Sequence, residues 1–226
     1  MLPIALAVTI AVIGLIFGPL LYIRHVMKAH DEDRRDLPGT GGELARHLLD
    51  QAGLRNVRVE STEMGDHYDP GSRTVRLTSK HLLSRSITAV AVAAHEVSHA
   101  FQHAWNEPGF ERRQRLVQAI IPLDRAAMVV LLLTPLIAIA VRSPGLVVAQ
   151  LGIVLLLLAG HLVVHLATLS VEVDASFNKA LPILEKGGYL SEADLPAARR
   201  VLRAAALTYV AGALISLINV LRVLRP

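Results

Sequence analysis

The 226-residue chain contains no cysteine, which excludes disulfides, thiolate zinc sites and cysteine redox chemistry together. Any metal must therefore be held by histidine and carboxylate. Aromatic residues make up only 4% of the sequence and charged residues 19%, whereas 53% is hydrophobic and the mean hydropathy is +0.47. A soluble domain of this length is ordinarily less apolar, so the composition points to a membrane. The excess of 23 Lys+Arg over 19 Asp+Glu, with an isoelectric point near 9.8, superficially suits nucleic acid. The basic residues, however, flank apolar runs: Arg24, Lys28, Arg34 and Arg35 follow the first, and Arg112, Arg113 and Arg115 precede the second. Charge so placed orients helices in a bilayer and meets lipid headgroups, and no nucleic-acid partner is expected.

Four apolar stretches are long enough to consider as spans: Leu2–Ile23, Ile121–Val141, Leu146–Thr168 and a weaker one over Ala204–Leu221. The first is uncharged for 22 residues, about 33 Å as a helix. It lacks the basic start and the cleavage site of a signal peptide, so it reads as an uncleaved anchor. The basic flanks on both sides of 24–118 place that segment in the cytoplasm. The "RSPG" turn (Arg142–Gly145) then lies outside, and 170–203 returns to the cytoplasmic face. The last stretch, 204–221, is expected to cross or to lie in the interface. The expected fold is thus mainly α: an integral membrane protein with about four transmembrane helices and a small cytoplasmic α+β catalytic portion. All of it, residues 1–226, forms one domain.

Within 24–118, Leu44, His47, Leu48 and Ala52 repeat at helical spacing. Val57–Glu60 and Thr74–Thr78 alternate as half-buried strands, and "DHYDPGSR" between them carries the turn signal Pro70-Gly71. A helix is expected from Ser86 to about Trp105, stopped by "NEPG". After the third span a helix should continue to Gly187-Gly188, and "SEAD" (Ser191–Asp194) signals a further helix start.

The chemistry lies in "AVAAHEVSHAFQH" (Ala91–His103). Residues four apart share a helix face, so His95 and His99 present two imidazoles to one point, with Glu96 about 100° round from His95. In this HExxH pattern the histidines bind zinc and the glutamate activates its water. Two histidines are too few, and a third protein ligand is needed. On a straight helix His103 lies about 12 Å along the axis from His95, out of reach. "VEVDAS" (Val171–Ser176) offers Glu172 and Asp174 instead. Measured from His161, His165 is about 40° and Glu172 about 20° away, one stripe, while Asp174 points about 160° from Glu172. Polar groups within a span face the protein interior, so Glu172 is the better ligand. Asp174 becomes a supporting carboxylate, orienting a histidine. His67 and Tyr68 could stabilise an oxyanion or tie up a turn, and the turn is favoured. For His161 and His165, interhelical hydrogen bonding is favoured over a second metal site.

These pieces, "DHYDP" (Asp66–Pro70), "VAAHEVSHAFQ" (Val92–Gln102), "VEVDAS" and "VLRAAALTYVA" (Val201–Ala211), resemble in order and spacing the YugP-type neutral zinc metallopeptidases of bacterial membranes. The resemblance covers nearly the whole chain. It implies a gluzincin-like peptidase binding one zinc through His95, His99 and Glu172, with Glu96 as catalytic base, in a bacterial plasma membrane. Ser98 stands where the family usually has glycine, and Ser170 near its usual proline.

The reading is therefore a multi-pass membrane zinc metalloprotease with its site on the cytoplasmic face, cutting membrane or juxtamembrane proteins, with strand Thr74–Thr78 holding substrate by its edge. Its partners are a protein or peptide substrate, the lipid bilayer, and possible copies or a partner complex. The rival is a non-catalytic scaffold or adaptor stabilised by zinc, which has no use for Glu96. A transporter using His161 and His165 is disfavoured, because four spans offer little room for a pathway.

Overall fold

The computed structural model describes residues 2–141 and 144–223. Eight α-helices, one π-helix and three short strands occur in these residues. Helix α1 (Leu2–Ala29) leads through a carboxylate-rich loop to α2 (Gly41–Gln51). Thr40 starts α2 with a reciprocal cap: its hydroxyl accepts from Glu43 N at 3.1 Å and its own N–H donates to Glu43 Oε2 at 2.8 Å. Leu44, Ala45, Leu48 and Leu49 form the buried stripe that seats α2 on the core.

Strands β1 (Arg58–Thr62), β2 (His67–Asp69) and β3 (Thr74–Thr78) come next, in the order β1–β3–β2. β1 runs parallel to β3 with Arg58 opposite Thr74, and β2 runs antiparallel with Asp69 opposite Thr74. Two expectations change here. "DHYDPGSR" is a strand as well as a turn, because Tyr68 buries its ring towards the core. The turn proper is Pro70–Arg73, held by the Asp69 carboxylate, which accepts from Gly71 N and Ser72 Oγ at 2.9 and 2.7 Å. In addition β3 is the central strand, hydrogen-bonded on both sides, so it has no free edge for a substrate. The edge beside it belongs to β2.

A short helix α3 (Ser79–Leu83) precedes α4 (Ile87–Ala104), the helix expected from the HEVSH region. Ser86 caps α4 by accepting from Ala89 N at 3.0 Å. Every residue from Ile87 to Gln102 is buried. Small residues make this possible: Ala89, Ala91, Ala93, Ala94 and Ala100 let the sheet, α2 and the later helices close in on all sides. Trp105 ends the helix and Asn106 takes the left-handed conformation at φ 51°, a turn asparagine tolerates better than most residues. The chain thus reverses at once into α5 (Pro108–Val141), whose first residue is the proline suited to a helix start.

α6 (Pro144–Val173), the π-helix (Asp174–Ala180) and α7 (Leu181–Lys186) form one continuous rod, and α8 (Leu195–Val223) completes the fold. The helix signalled by "SEAD" starts three to four residues late, since Ser191 Oγ donates to the Asp194 carboxylate, which also pairs with Arg34. α1 packs on α8, α8 on α6, and α6 on α5. Each of the four apolar stretches lies within one helix, α1, α5, α6 or α8. Residues 142–143 of the expected outer turn lie outside the described residues. Among the described residues one helical segment, Pro108–Thr134, is long and apolar enough to cross a membrane, and nearly all of its most apolar part is unburied. That segment overlaps the expected Ile121–Val141 over 121–134, and its first turns carry Glu111, Arg112, Arg113 and Arg115.

Candidate metal centre

α4 and the end of α6 meet where their polar residues coincide. His95, His99 and Glu172 are all buried, and one ligand atom from each lies within 4.8 Å of the other two. Glu172 Oε2 stands 3.1 Å from His95 Nε2 and 3.3 Å from His99 Nε2. Two ligands about 2.0–2.1 Å from a tetrahedral zinc stand about 3.3 Å apart, so the spacing fits the ion. Glu172 Oε1 is buried with no hydrogen-bond partner. An orphaned carboxylate oxygen beside two imidazole nitrogens is what a cation would relieve.

Both imidazoles are held from behind. His99 Nδ1 donates to Gln102 Oε1 at 2.8 Å, and the Gln102 amide donates to Val171 O at 3.0 Å and to Asp174 Oδ2 at 2.8 Å. His95 Nδ1 meets Ser176 Oγ at 3.1 Å, and that hydroxyl donates to Leu202 O at 3.2 Å. With Nδ1 protonated, each neutral ring keeps its Nε2 lone pair for a metal. Asp174 thus reaches His99 through Gln102. Gln102 and Ser176 were not singled out from the sequence, although each carries a signal: Gln102 is three residues after His99 and Ser176 four after Glu172, on the same helical faces. The change to π geometry begins at Asp174, and such wide turns often occur at functional sites.

Electrostatics separate the two glutamates. Burial raises the Glu96 carboxyl to about 7, with Glu172 and Asp66 adding to the rise and His95 opposing it. Burial would also raise Glu172, but the His99 and His95 imidazoles beside it outweigh burial, so Glu172 is held below the usual carboxylate range. The two carboxyls are thus shifted in opposite directions, Glu172 down and Glu96 up to about 7.

The donors open into a cavity of about 520 Å³ whose lining includes Asp66, His67, Glu96, Phe110, Arg113 and His165. Arg113 is half-buried over the Phe110 ring, its guanidinium carbon 5.9 Å from the centroid, and not simply set out among headgroups. His67 Nδ1 donates to Gly65 O at 2.8 Å. It ties the turn. The Tyr68 hydroxyl bonds His103 Nδ1 at 2.8 Å and is committed there, with its pKa raised by burial to about 12. Both residues line the cavity with Glu96. His103 serves Tyr68 and is no part of the donor group. His161 Nε2 lies 3.2 Å from Asp124 Oδ2 of α5, the interhelical role expected of it. Ser98 is fully buried and its hydroxyl donates to Ala94 O at 2.7 Å, so its own helix absorbs the polar group.

A pair of histidines one helical turn apart, a distant glutamate closing the donor set and a buried glutamate beside them define the class: the site is arranged as in HExxH zinc peptidases. The comparisons agree. Residues 5–225 match the family described as "Putative neutral zinc metallopeptidase", and the chain belongs to that family. It is 36% identical over 216 residues to a Bacillus subtilis (strain 168) protein named "Putative membrane protease YugP", an alignment covering 95% of this chain and 92% of that one. No solved structure matches it significantly.

Proposed function

We propose that the protein is a multi-pass membrane zinc metallopeptidase of gluzincin type, an endopeptidase whose site faces the cytoplasm of a bacterial cell. The observation that carries the reading is the meeting of His95, His99 and Glu172 around one point, with Glu96 buried beside them. Large apolar side chains on the long helices, such as Leu132 at 77% exposed, support a lipid setting. The basic flanks support the orientation. Because Glu172 comes directly after an apolar helical run, substrates are membrane or juxtamembrane polypeptides.

His95, His99 and Glu172 would hold zinc, which when bound supplies an acidified water and polarises the scissile carbonyl. Gln102 and Ser176 fix the tautomer and tilt of the two rings. Glu96, raised towards neutrality, takes a proton from the attacking water and passes it to the leaving amine. Burial of α4 keeps bulk water from the proton-transfer path.

Two substitutions test this together. Glu172→Ala should lose most of the roughly one zinc per chain bound by the wild type. Glu96→Gln should keep zinc and lower hydrolysis of membrane-inserted peptides by about 10²–10⁴-fold. Unchanged hydrolysis in Glu96→Gln would favour a zinc-clamped scaffold, and a wild type that binds no metal would end the reading.

A further inference from the structure

The cavity at the metal donors is not walled only by the cytoplasmic portion. α4 and β2 form one side, but Met27 of α1, Arg113 of α5, His165 of α6 and Thr208 of α8 also line it. These four long helices pack in series, α1–α8–α6–α5, and among the described residues α1 and α5 share no extensive interface. A wall joined in series has one open seam, here between α1 and α5. On α6, His165 precedes Glu172 by seven residues, about 10 Å towards the apolar part of the helix.

We propose that this seam is a lateral entrance, through which the extended juxtamembrane segment of a membrane-anchored polypeptide reaches the site from the bilayer. The inference rests on the peptidase reading of the same site and adds its route and the form of its substrate. The chemistry of the lining selects the occupant. A polypeptide that unwinds at membrane depth exposes N–H and C=O groups that hydrocarbon cannot satisfy. His165 brings an imidazole to this wall, Thr208 a hydroxyl oxygen that can still accept while it donates to Ala205 O, and Arg113 of α5 shares the lining. An acyl chain would need none of them. Further in, the outer edge of β2 is unpaired within the sheet and borders the same cavity through His67 and Tyr68.

The absence of cysteine makes the route directly measurable. Single cysteines at Met27 and Thr208 report on the seam and cavity. Leu21→Cys and Leu166→Cys, at positions 64% and 62% exposed on α1 and α6, report on the outer surface. All are made in the Glu96→Gln background. The probe is a synthetic peptide of about twenty Leu/Ala residues followed by a randomised segment with one cysteine, activated as its thiopyridyl disulfide, in vesicles of phosphatidylcholine and phosphatidylglycerol. A protein thiolate that meets it displaces thiopyridone and leaves a protein–peptide disulfide. Adducts at Met27→Cys and Thr208→Cys should exceed those at the outer positions by about tenfold or more and be suppressed by a cysteine-free peptide. His165→Cys gives a second reading from the same cavity wall, should the Thr208→Cys variant fold poorly. Equal reaction at the outer positions, equal reaction with the randomised segment lacking its span, or no adduct at all would overturn the route. Trapping needs no turnover, so a wild type that hydrolyses nothing while the cysteine pattern holds would refute the peptidase reading and leave the entrance standing.

Discussion

Gln102→Leu is the perturbation that best separates a built metal centre from a chance meeting of polar residues. Gln102 is 1% exposed and makes three hydrogen bonds, from His99 Nδ1 at 2.8 Å and to Val171 O and Asp174 Oδ2 at 3.0 and 2.8 Å. Leucine is of similar volume, so the variant removes the bonds while opening little cavity. Asp174 keeps Asn178 and Lys179, but the buried N–H of His99 loses its acceptor, at a cost of about 1–3 kcal/mol. The ring can escape by moving its proton to Nε2, but that is the nitrogen facing Glu172, and the move must be reversed before a metal can bind. Zinc affinity should therefore fall about 10–100-fold, or about 1.4–2.7 kcal/mol, in line with the hydrogen-bond cost. Competition against a chromogenic chelator near neutral pH measures the change, and nitrogen NMR of the imidazoles reports the tautomer. A variant that melts cooperatively and binds zinc within about twofold of wild type would refute the positioning role.

Ser176→Ala removes the partner of His95 Nδ1 and the donor to Leu202 O, and should weaken zinc binding by about tenfold, with about 1 kcal/mol lost in denaturant unfolding. His81 is partly desolvated, which lowers its pKa, but its 2.7 Å bond to Asp66 and the charges of Asp66 and Asp31 raise it above 6.5 overall. Burial likewise raises Asp66, and His81 with Thr78 brings it below 3.8. The pair's stabilisation is therefore complete between about pH 3.8 and 6.5, fading as pH rises through the folded value of His81 or falls through that of Asp66. Melting temperatures should decline above pH 6.5 in the wild type and flatten in His81→Gln, and equal slopes in the two proteins would remove His81 as the cause.

The donor set was legible in the sequence because it depends on local periodicity: a four-residue step from His95 to His99, and an eleven-residue step along uninterrupted α-helix from His161 to Glu172. The residues behind the ligands were harder to find. Gln102 matters because it meets Asp174 across 72 residues of sequence, and Ser176 because it meets His95 across 81. Helical spacing puts each on the right face but does not name its distant partner. Strand order escaped for a similar reason: β1 pairs with β3 in parallel across the chain, while β2 folds back on β3 through a local turn. Arg113 looked like a headgroup flank because it sits with Arg112 and Arg115 before an apolar stretch; in the fold those two are exposed while Arg113 lines the cavity.

The π-helix divides one continuous rod into two independently aimed parts. Everything up to Glu172 is set by the regular turn of α6, and everything beyond Ala180 by how much extra backbone the wide turn takes up. Removing one residue between them would rotate α7 and the chain beyond it by about 100° while leaving Glu172 facing the two histidines. The constraint on Asp174–Ala180 is thus as much its length as its side chains, since that length decides whether Leu202 arrives at Ser176 and whether α8 can close the wall beside the donors.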